Sequence, residues 1–488
     1  MTGMPYYSTR SDRSEPGVSS SYAVLRGTAP DGGLYVPAEI PALEPDWGFL
    51  ATLSYKRLAY EILKLYFTDY SEEELRAGID FAYDGKFNHP DITPVVKESG
   101  AFFLELFHGK TLAFKDVALS LLPHLMKAAA EKHGVTDEIT ILTATSGDTG
   151  KAALEGFRDM ENMSIIVFYP EKGVSSAQKM QMLTQEGKNT YVVGVRGNFD
   201  DAQRGVKEIF NRKTENRFLS SANSINIGRL APQIVYYFHA YLKLCGEGEV
   251  APGEKINFTV PTGNFGNILA GYYAKEMGLP VNRLVCASNQ NNVLSDFFNT
   301  GKYDRNRSLV KTCSPSMDIL VSSNLERLVY ALTGGRRTAG LMRELDESGR
   351  YELDLQSRAF AGEFLTEEET RDSIREVFEN GYLIDTHTAV AYGAYKKYRD
   401  KNGDKHKNVV VATASPYKFA EAVVPAINRQ YDHQVLGAAG AVRALARISG
   451  IPIPYQISQL NFMPVLHNTV CDAADMGKVV DSIINRER

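Results

Sequence analysis

The 488-residue sequence predicts an α/β protein built on parallel sheets with helices on both faces. Two observations predict it. Short, continuously apolar runs recur along the chain, and each leads into a Gly-, Ser- or Asn-containing turn and then a helical pattern. A strand buried on both faces reads as an unbroken apolar run, whereas a half-exposed strand alternates, so these runs point to parallel strands. The units are Glu138–Thr145 followed by SGDTG and KAALEGFRDM, then Ser164–Tyr169, then Thr190–Val195 with DDAQRGVKEIFNRK. Later come INFTVP with NILAGYYAKEMG and RLVCAS, and finally KNVVVAT with SPYKFAEAVVPAINR.

Residues 1–90 read as a separate N-terminal extension. It opens with the turn-rich stretch TAPDGGLYVPAEIPALEP, shows helical periodicity over Leu53–Tyr66, and starts another helix with a capping box at Ser71-Glu72-Glu73-Glu74. Residues 91–255 then form a smaller α/β region and 256–430 a larger one, followed by a C-terminal segment, 431–488. Within the larger region, about 300–380 is charged and largely helical, and reads as an inserted or peripheral segment with solvated helix faces.

Composition excludes several classes. Hydrophobic residues make up 43% and charged residues 23%, as in soluble globular proteins, and the formal charge of -5 gives no general attraction to nucleic acid or anionic lipid. No apolar run approaches the ~20 residues that cross a bilayer. The opening MTGMPYYSTRSDRSEPG lacks the apolar stretch of a secretory signal. Four scattered cysteines without a CxxC pair argue against a zinc ribbon, a disulfide framework or a redox motif, and suggest reduced thiols in a cytoplasmic setting.

Three turns carry chemistry. Gly263-Asn264-Phe265-Gly266-Asn267 stands between a strand and a helix, where glycines admit an anion and the helix start presents unpaired N–H groups, a suitable cradle for phosphate. Thr145-Ser146-Gly147-Asp148-Thr149-Gly150 gathers hydroxyls and backbone donors in a similar turn, suited to a carboxylate, although a simple helix cap explains the same residues. Leu112-Ala113-Phe114-Lys115-Asp116 sets a lysine among apolar neighbours ahead of the helical VALSLLPHLMKAAA. Desolvation there lowers an amine's pKa and makes it a nucleophile and base. The preceding Gly109-Lys110-Thr111 is not a nucleotide P-loop, because Leu104 stands where that loop needs its first glycine.

HGKTLAFKD, TATSGDTG and PTGNFGN, in this order, resemble the signature segments of the threonine synthase family. YYSTRS…APDGGLYVP is similar to that family's N-terminus, and Asn223–Arg229 also matches. The similarity covers nearly the whole chain and is greatest to the longer branch of the family, which has an N-terminal extension and an insert. The resemblance implies the type II pyridoxal-phosphate fold, the tryptophan synthase β-like arrangement of two parallel-sheet domains. It implies pyridoxal 5'-phosphate as cofactor, bound covalently through Lys115, with Gly263, Asn264, Phe265, Gly266 and Asn267 at its phosphate and Thr413 at its ring nitrogen. Thr145, Ser146, Gly147, Asp148 and Thr149 would face the substrate, and Asn223, Ser224, Asn226 and Arg229 would receive a substrate phosphate. Relatives often carry Asn where Asp148 stands and Pro where Lys110 stands. The implied reaction converts O-phosphohomoserine and water to threonine and phosphate, by γ-elimination and β-addition of water, without a metal, in a monomer or homodimer. Alternatives are a serine/threonine dehydratase or a β-replacement synthase of the same fold, or a threonine-synthase-like binding protein that has lost catalysis.

Overall fold

The computed structural model describes residues 3–43, 46–210, 218–355, 359–431 and 433–486. Two sheets carry the architecture. The smaller has five strands, all parallel, in the spatial order Thr469–Asp472, Thr190–Arg196, Met163–Pro170, Ile139–Ala144, Phe218–Ser221. The larger has six, in the order Phe360–Phe364, Val281–Ser288, Ile256–Pro261, Asn408–Ala412, Ala101–Glu105, Val95–Glu98. Its neighbours are parallel except the last, an antiparallel edge strand. Every residue of Ile139–Ala144, Met163–Pro170, Ile256–Pro261 and Asn408–Ala412 is buried, which is why these strands read as unbroken apolar runs.

The sheets do not divide as the sequence suggests. Val95–Glu98 and Ala101–Glu105 fall in the stretch expected to build the smaller region, yet they pair into the larger sheet through Asn408–Ala412. Thr469–Asp472, from the C-terminal segment, closes the smaller sheet beside Thr190–Arg196. The charged segment contributes the helices Leu325–Thr333, Gly335–Ser348 and Glu367–Glu379, and also the parallel edge strand Phe360–Phe364. Residues 44–45, at the end of the turn-rich stretch, and 211–213, at the end of the helix expected from 200, lie outside the described residues.

Helices cover both sheets. Ile227–Gly246 is apolar nearly all round and buried over most of its length, packed against Gly266–Glu276, Tyr55–Tyr66 and Lys115–Leu119. The N-terminal extension docks through the same helix, since Tyr55–Tyr66 lies on it, while Ser20–Arg26 lies on Leu122–Lys132. Ser54 caps Tyr55–Tyr66, and the Ser71/Glu74 capping box opens Glu72–Tyr83. The single helix expected after Lys115 is two, Lys115–Leu119 and Leu122–Lys132, because Pro123 has no N–H to continue the first.

Helix Asp148–Phe157 packs against Lys115–Leu119, so two of the chemistry-bearing turns share one contact. Gly156 makes it possible: a Cβ there would lie 2.2 Å from the Leu119 carbonyl oxygen, which is backbone and cannot turn aside. Gly156→Ala should destabilise the fold by about 1–3 kcal/mol, read as a lower urea midpoint.

Candidate active site

The three turns meet in one cavity at the carboxyl ends of strands from both sheets, where open α/β folds bind ligands. Lys115, Ser146, Asp148, Thr149, Ser224, Arg229, the loop Gly263 to Asn267, and Thr413 all line it. Thr145, Gly147, Asn223 and Asn226 do not. Thr145 Oγ1 accepts from the N–H groups of Gly147 and Gly150 at 2.9 and 2.8 Å, fixing the turn that presents Ser146 and Thr149. Asn226 caps Ile227–Gly246, its Oδ1 accepting from Gly228 and its Nδ2 donating to Val24 and Ser221 carbonyls. The Asn223 amide donates to the Ala144 carbonyl at 2.7 Å. These side chains spend their hydrogen bonds on backbone and shape the turns on which the lining residues stand. Lys110 is also outside the cavity, half-exposed and 3.6 Å from Glu155 Oε1.

The lysine turn is stitched to a segment 300 residues away. Leu106 N–H donates to the Ala412 carbonyl at 2.9 Å, Phe114 N–H to Thr413 at 2.8 Å, and Ser415 N–H to Leu112 at 3.0 Å. Leu112 turns the chain with φ 60. Lys115 and Thr413 are thereby held side by side. The Lys115 side chain is only 13% exposed, with Nζ 4.3 Å from the centre of the Phe114 ring and 3.9 Å from Asp148 Oδ2. Burial pulls its amine down to about 8, with Arg229 and Lys418 acting the same way against Asp148 and Asp116.

The Gly263–Asn267 loop is an anion cradle. Phe265, left-handed at φ 63, is buried and anchored on Phe298 and Phe360 with ring centroids 5.7 Å away. A Cβ on Gly263 would meet the Ser316 carbonyl oxygen at 2.5 Å. Asn267 Oδ1 accepts from the Tyr236 and Tyr237 hydroxyls at 2.6 and 2.8 Å, which fixes the amide and leaves its buried Nδ2 without a partner among the described residues. An orphaned donor beside the free N–H groups of helix Gly266–Glu276 fits a phosphate. The charged segment is not merely peripheral, for it braces this loop: Asn324 donates to the Asn264 carbonyl and, at 3.1 Å, to Ser224 Oγ, and Arg327 in turn holds Asn324.

Arg229 is 1% exposed. Its Nη1 donates to the Ala222 carbonyl at 2.6 Å, and its Nε has no partner among the described residues. Among the described residues no carboxylate forms an ion pair with it, and burial pulls the guanidinium down to about 10. A desolvated cation without a counter-charge is costly unless an anion arrives.

Asp148 has counter-charges. Burial pushes its carboxyl up, but Lys418 and Lys115, together with hydrogen bonds from Lys418 and Gln178, prevail and hold it well below the usual carboxylate range. Lys418, Gln178, Ser316 and His387 were not singled out in the sequence. Lys418 carried a usable signal, since Tyr417-Lys418-Phe419 sets a lysine among apolar neighbours as Phe114-Lys115 does. The others had none. His387 accepts from Ser316 N–H through Nε2 and therefore donates through Nδ1 to Asp385 Oδ2 at 2.7 Å, bracing the Pro315–Met317 turn against the cavity.

A buried lysine facing a glycine-rich anion cradle on this fold defines a pyridoxal-phosphate-dependent enzyme of fold type II, and comparison with known proteins agrees. Residues 91–415 match the family "Pyridoxal-phosphate dependent enzyme", 5–83 match "Threonine synthase N terminus" and 388–449 match "Threonine synthase, C-terminal". The chain is 39% identical to the threonine synthase of Eremothecium gossypii over 88% of its own length and 90% of that protein. It is 38% identical to human "Threonine synthase-like 1" over 93% of its length, but spans only 62% of that longer relative. The crystal structure of pyridoxal-phosphate-bound threonine synthase from Brucella melitensis superposes with a TM-score of 0.84 at 36% identity, covering 99% of both chains. The chain belongs to the threonine synthase family, and its cofactor is pyridoxal 5'-phosphate.

Without cofactor, modification of Lys115 by an amine-reactive reagent should rise with pH around a midpoint of about 8, mapped by peptide mass. Arg229→Met removes a neighbouring cation and should move that midpoint up.

Proposed function

We propose that the chain converts O-phospho-L-homoserine and water to L-threonine and phosphate, the last step of threonine biosynthesis. The observation that carries this reading is Arg229: a buried guanidinium without a carboxylate partner among the described residues, lining the same cavity as Lys115. With the Gly263–Asn267 loop, the cavity has two places for anions, one for the cofactor's phosphate and one for the substrate's.

Pyridoxal phosphate supplies an electron sink for the substrate's α-carbon, milder when a hydroxyl such as that of Thr413 faces the ring nitrogen than when a carboxylate does. The residues of the chain do the rest. Asn267 Nδ2 and the N–H groups opening Gly266–Glu276 hold the cofactor phosphate. Ser146 and Thr149, at the start of helix Asp148–Phe157, receive the substrate carboxylate. Arg229 and Ser224 bind the substrate phosphate, which positions the γ-carbon and stabilises the departing charge. Lys115 Nζ takes the α-proton and returns protons later, a task for which an amine near neutrality is suited and an ordinary lysine is not. The reducing, cytoplasmic setting read from the sequence and a monomer or homodimer complete the proposal.

The test is incubation of purified protein with O-phosphohomoserine. Equal yields of threonine and phosphate are expected, with a loss of at least about 10³-fold in Lys115→Ala. Arg229→Met should lower kcat/KM for the phosphorylated substrate by ~10²-fold. Keto-acid formation from threonine would favour the dehydratase reading, and no turnover with bound cofactor would favour a non-catalytic relative.

A further inference from the structure

Lys418 lies five residues beyond Thr413, in the turn Pro416–Phe419, and its side chain has no exposure. Lysine is almost never fully buried without a partner. Here Nζ donates to Asp148 Oδ1 at 2.6 Å and to the Thr111 carbonyl at 2.9 Å. Thr111 is itself fixed, its N–H and hydroxyl donating to buried Asp116 at 2.8 and 2.6 Å. One ammonium therefore joins the Thr413 segment, the Lys115 turn and the helix Asp148–Phe157.

The effect on Asp148 is directional. Its Oδ1 accepts from Lys418 and, at 2.8 Å, from Gln178 Nε2, while the Gln178 Oε1 accepts from Ser175 N–H in a capping box. With Oδ1 so occupied, Oδ2 is the oxygen that approaches Lys115, at 3.9 Å. We propose that Lys418 is a positioning residue for the chemistry at Lys115, pinning Asp148 and cancelling its charge so that the carboxylate lies beside the reactive amine without keeping that amine protonated. A lone carboxylate buried at this position would stabilise the ammonium form of Lys115 and oppose an anionic oxygen on the cofactor ring. Paired with Lys418 it does both more weakly. The proposal rests on Lys115 being the reactive amine, not on the identity of the substrate.

Other charges facing these groups are few. Lys115 is also faced by Arg229 and Asp116, and Lys418 by Asp116 and Lys151. They are common to all variants below, so the comparison isolates the pair.

The experiment is the pH midpoint of Lys115 modification in the full chain stripped of cofactor, for wild type, Lys418→Met and Lys418→Met/Asp148→Asn. The single variant should move the midpoint up by about one pH unit, and the double variant should bring it back to the wild-type value or below. An unchanged midpoint in Lys418→Met, or a double variant displaced as far as the single, overturns the proposal. If Lys418→Met does not fold, recovery of the fold in the double variant supports a charge-balancing role, whereas failure of both shows that Lys418 acts by packing and overturns it. The readout needs no substrate, so a protein that forms no threonine yet shows the expected shifts refutes the proposed reaction alone.

Discussion

Positive charge buried around one cavity is the constraint on which the rest of the structure depends. Lys115, Lys418 and Arg229 are buried in or against one cavity, and Asp148 is a carboxylate placed among them. Taking ions out of water costs several kcal/mol each unless partners repay it. Asp148 and Lys418 satisfy one another. That leaves an amine drawn toward neutrality and a guanidinium that has the Ala222 carbonyl but, among the described residues, no carboxylate.

The fold delivers these groups with little freedom. Ile139–Ala144, Ile256–Pro261 and Asn408–Ala412 are buried throughout and end at the cavity, so the turns after them are aimed by strands packed on both faces. The backbone bonds from Leu106, Phe114 and Ser415 then lock the lysine turn to the Thr413 segment. Elements distant in sequence act as braces: Asn324 and Arg327 behind the phosphate loop, and His387 behind the Pro315–Met317 turn. Arg327 also donates to the Tyr35 carbonyl at 3.0 Å, so the N-terminal extension is tied to the same scaffold.

Much of this was legible in the sequence because buried parallel strands and helix starts leave local signatures. The runs INFTVP and EITILTA and the Ser71 capping box read correctly from neighbouring residues alone, and the three turns singled out there meet in one cavity. What was not legible depends on pairing across the chain. Thr469–Asp472 is four residues of mixed character whose place is set by Thr190–Arg196, and nothing local tells Ala101–Glu105 which sheet to join. Asn223 and Asn226 looked like ligand-binding amides because a motif does not reveal that backbone carbonyls consume them. For Lys418 the apolar neighbours Tyr417 and Phe419 hinted at burial, but its partner Asp148, 270 residues earlier, could not be read locally.

Two buried lysines flank one carboxylate; the work proposed for them differs, with Lys115 bonding to the cofactor and Lys418 balancing charge. Borohydride reduction of the cofactor-loaded protein, followed by peptide mapping, separates them directly. The cofactor's mass should be found on the peptide containing Lys115, with the Lys418 peptide unmodified. Label on Lys418, or on neither lysine in protein that turns over substrate, would contradict the account.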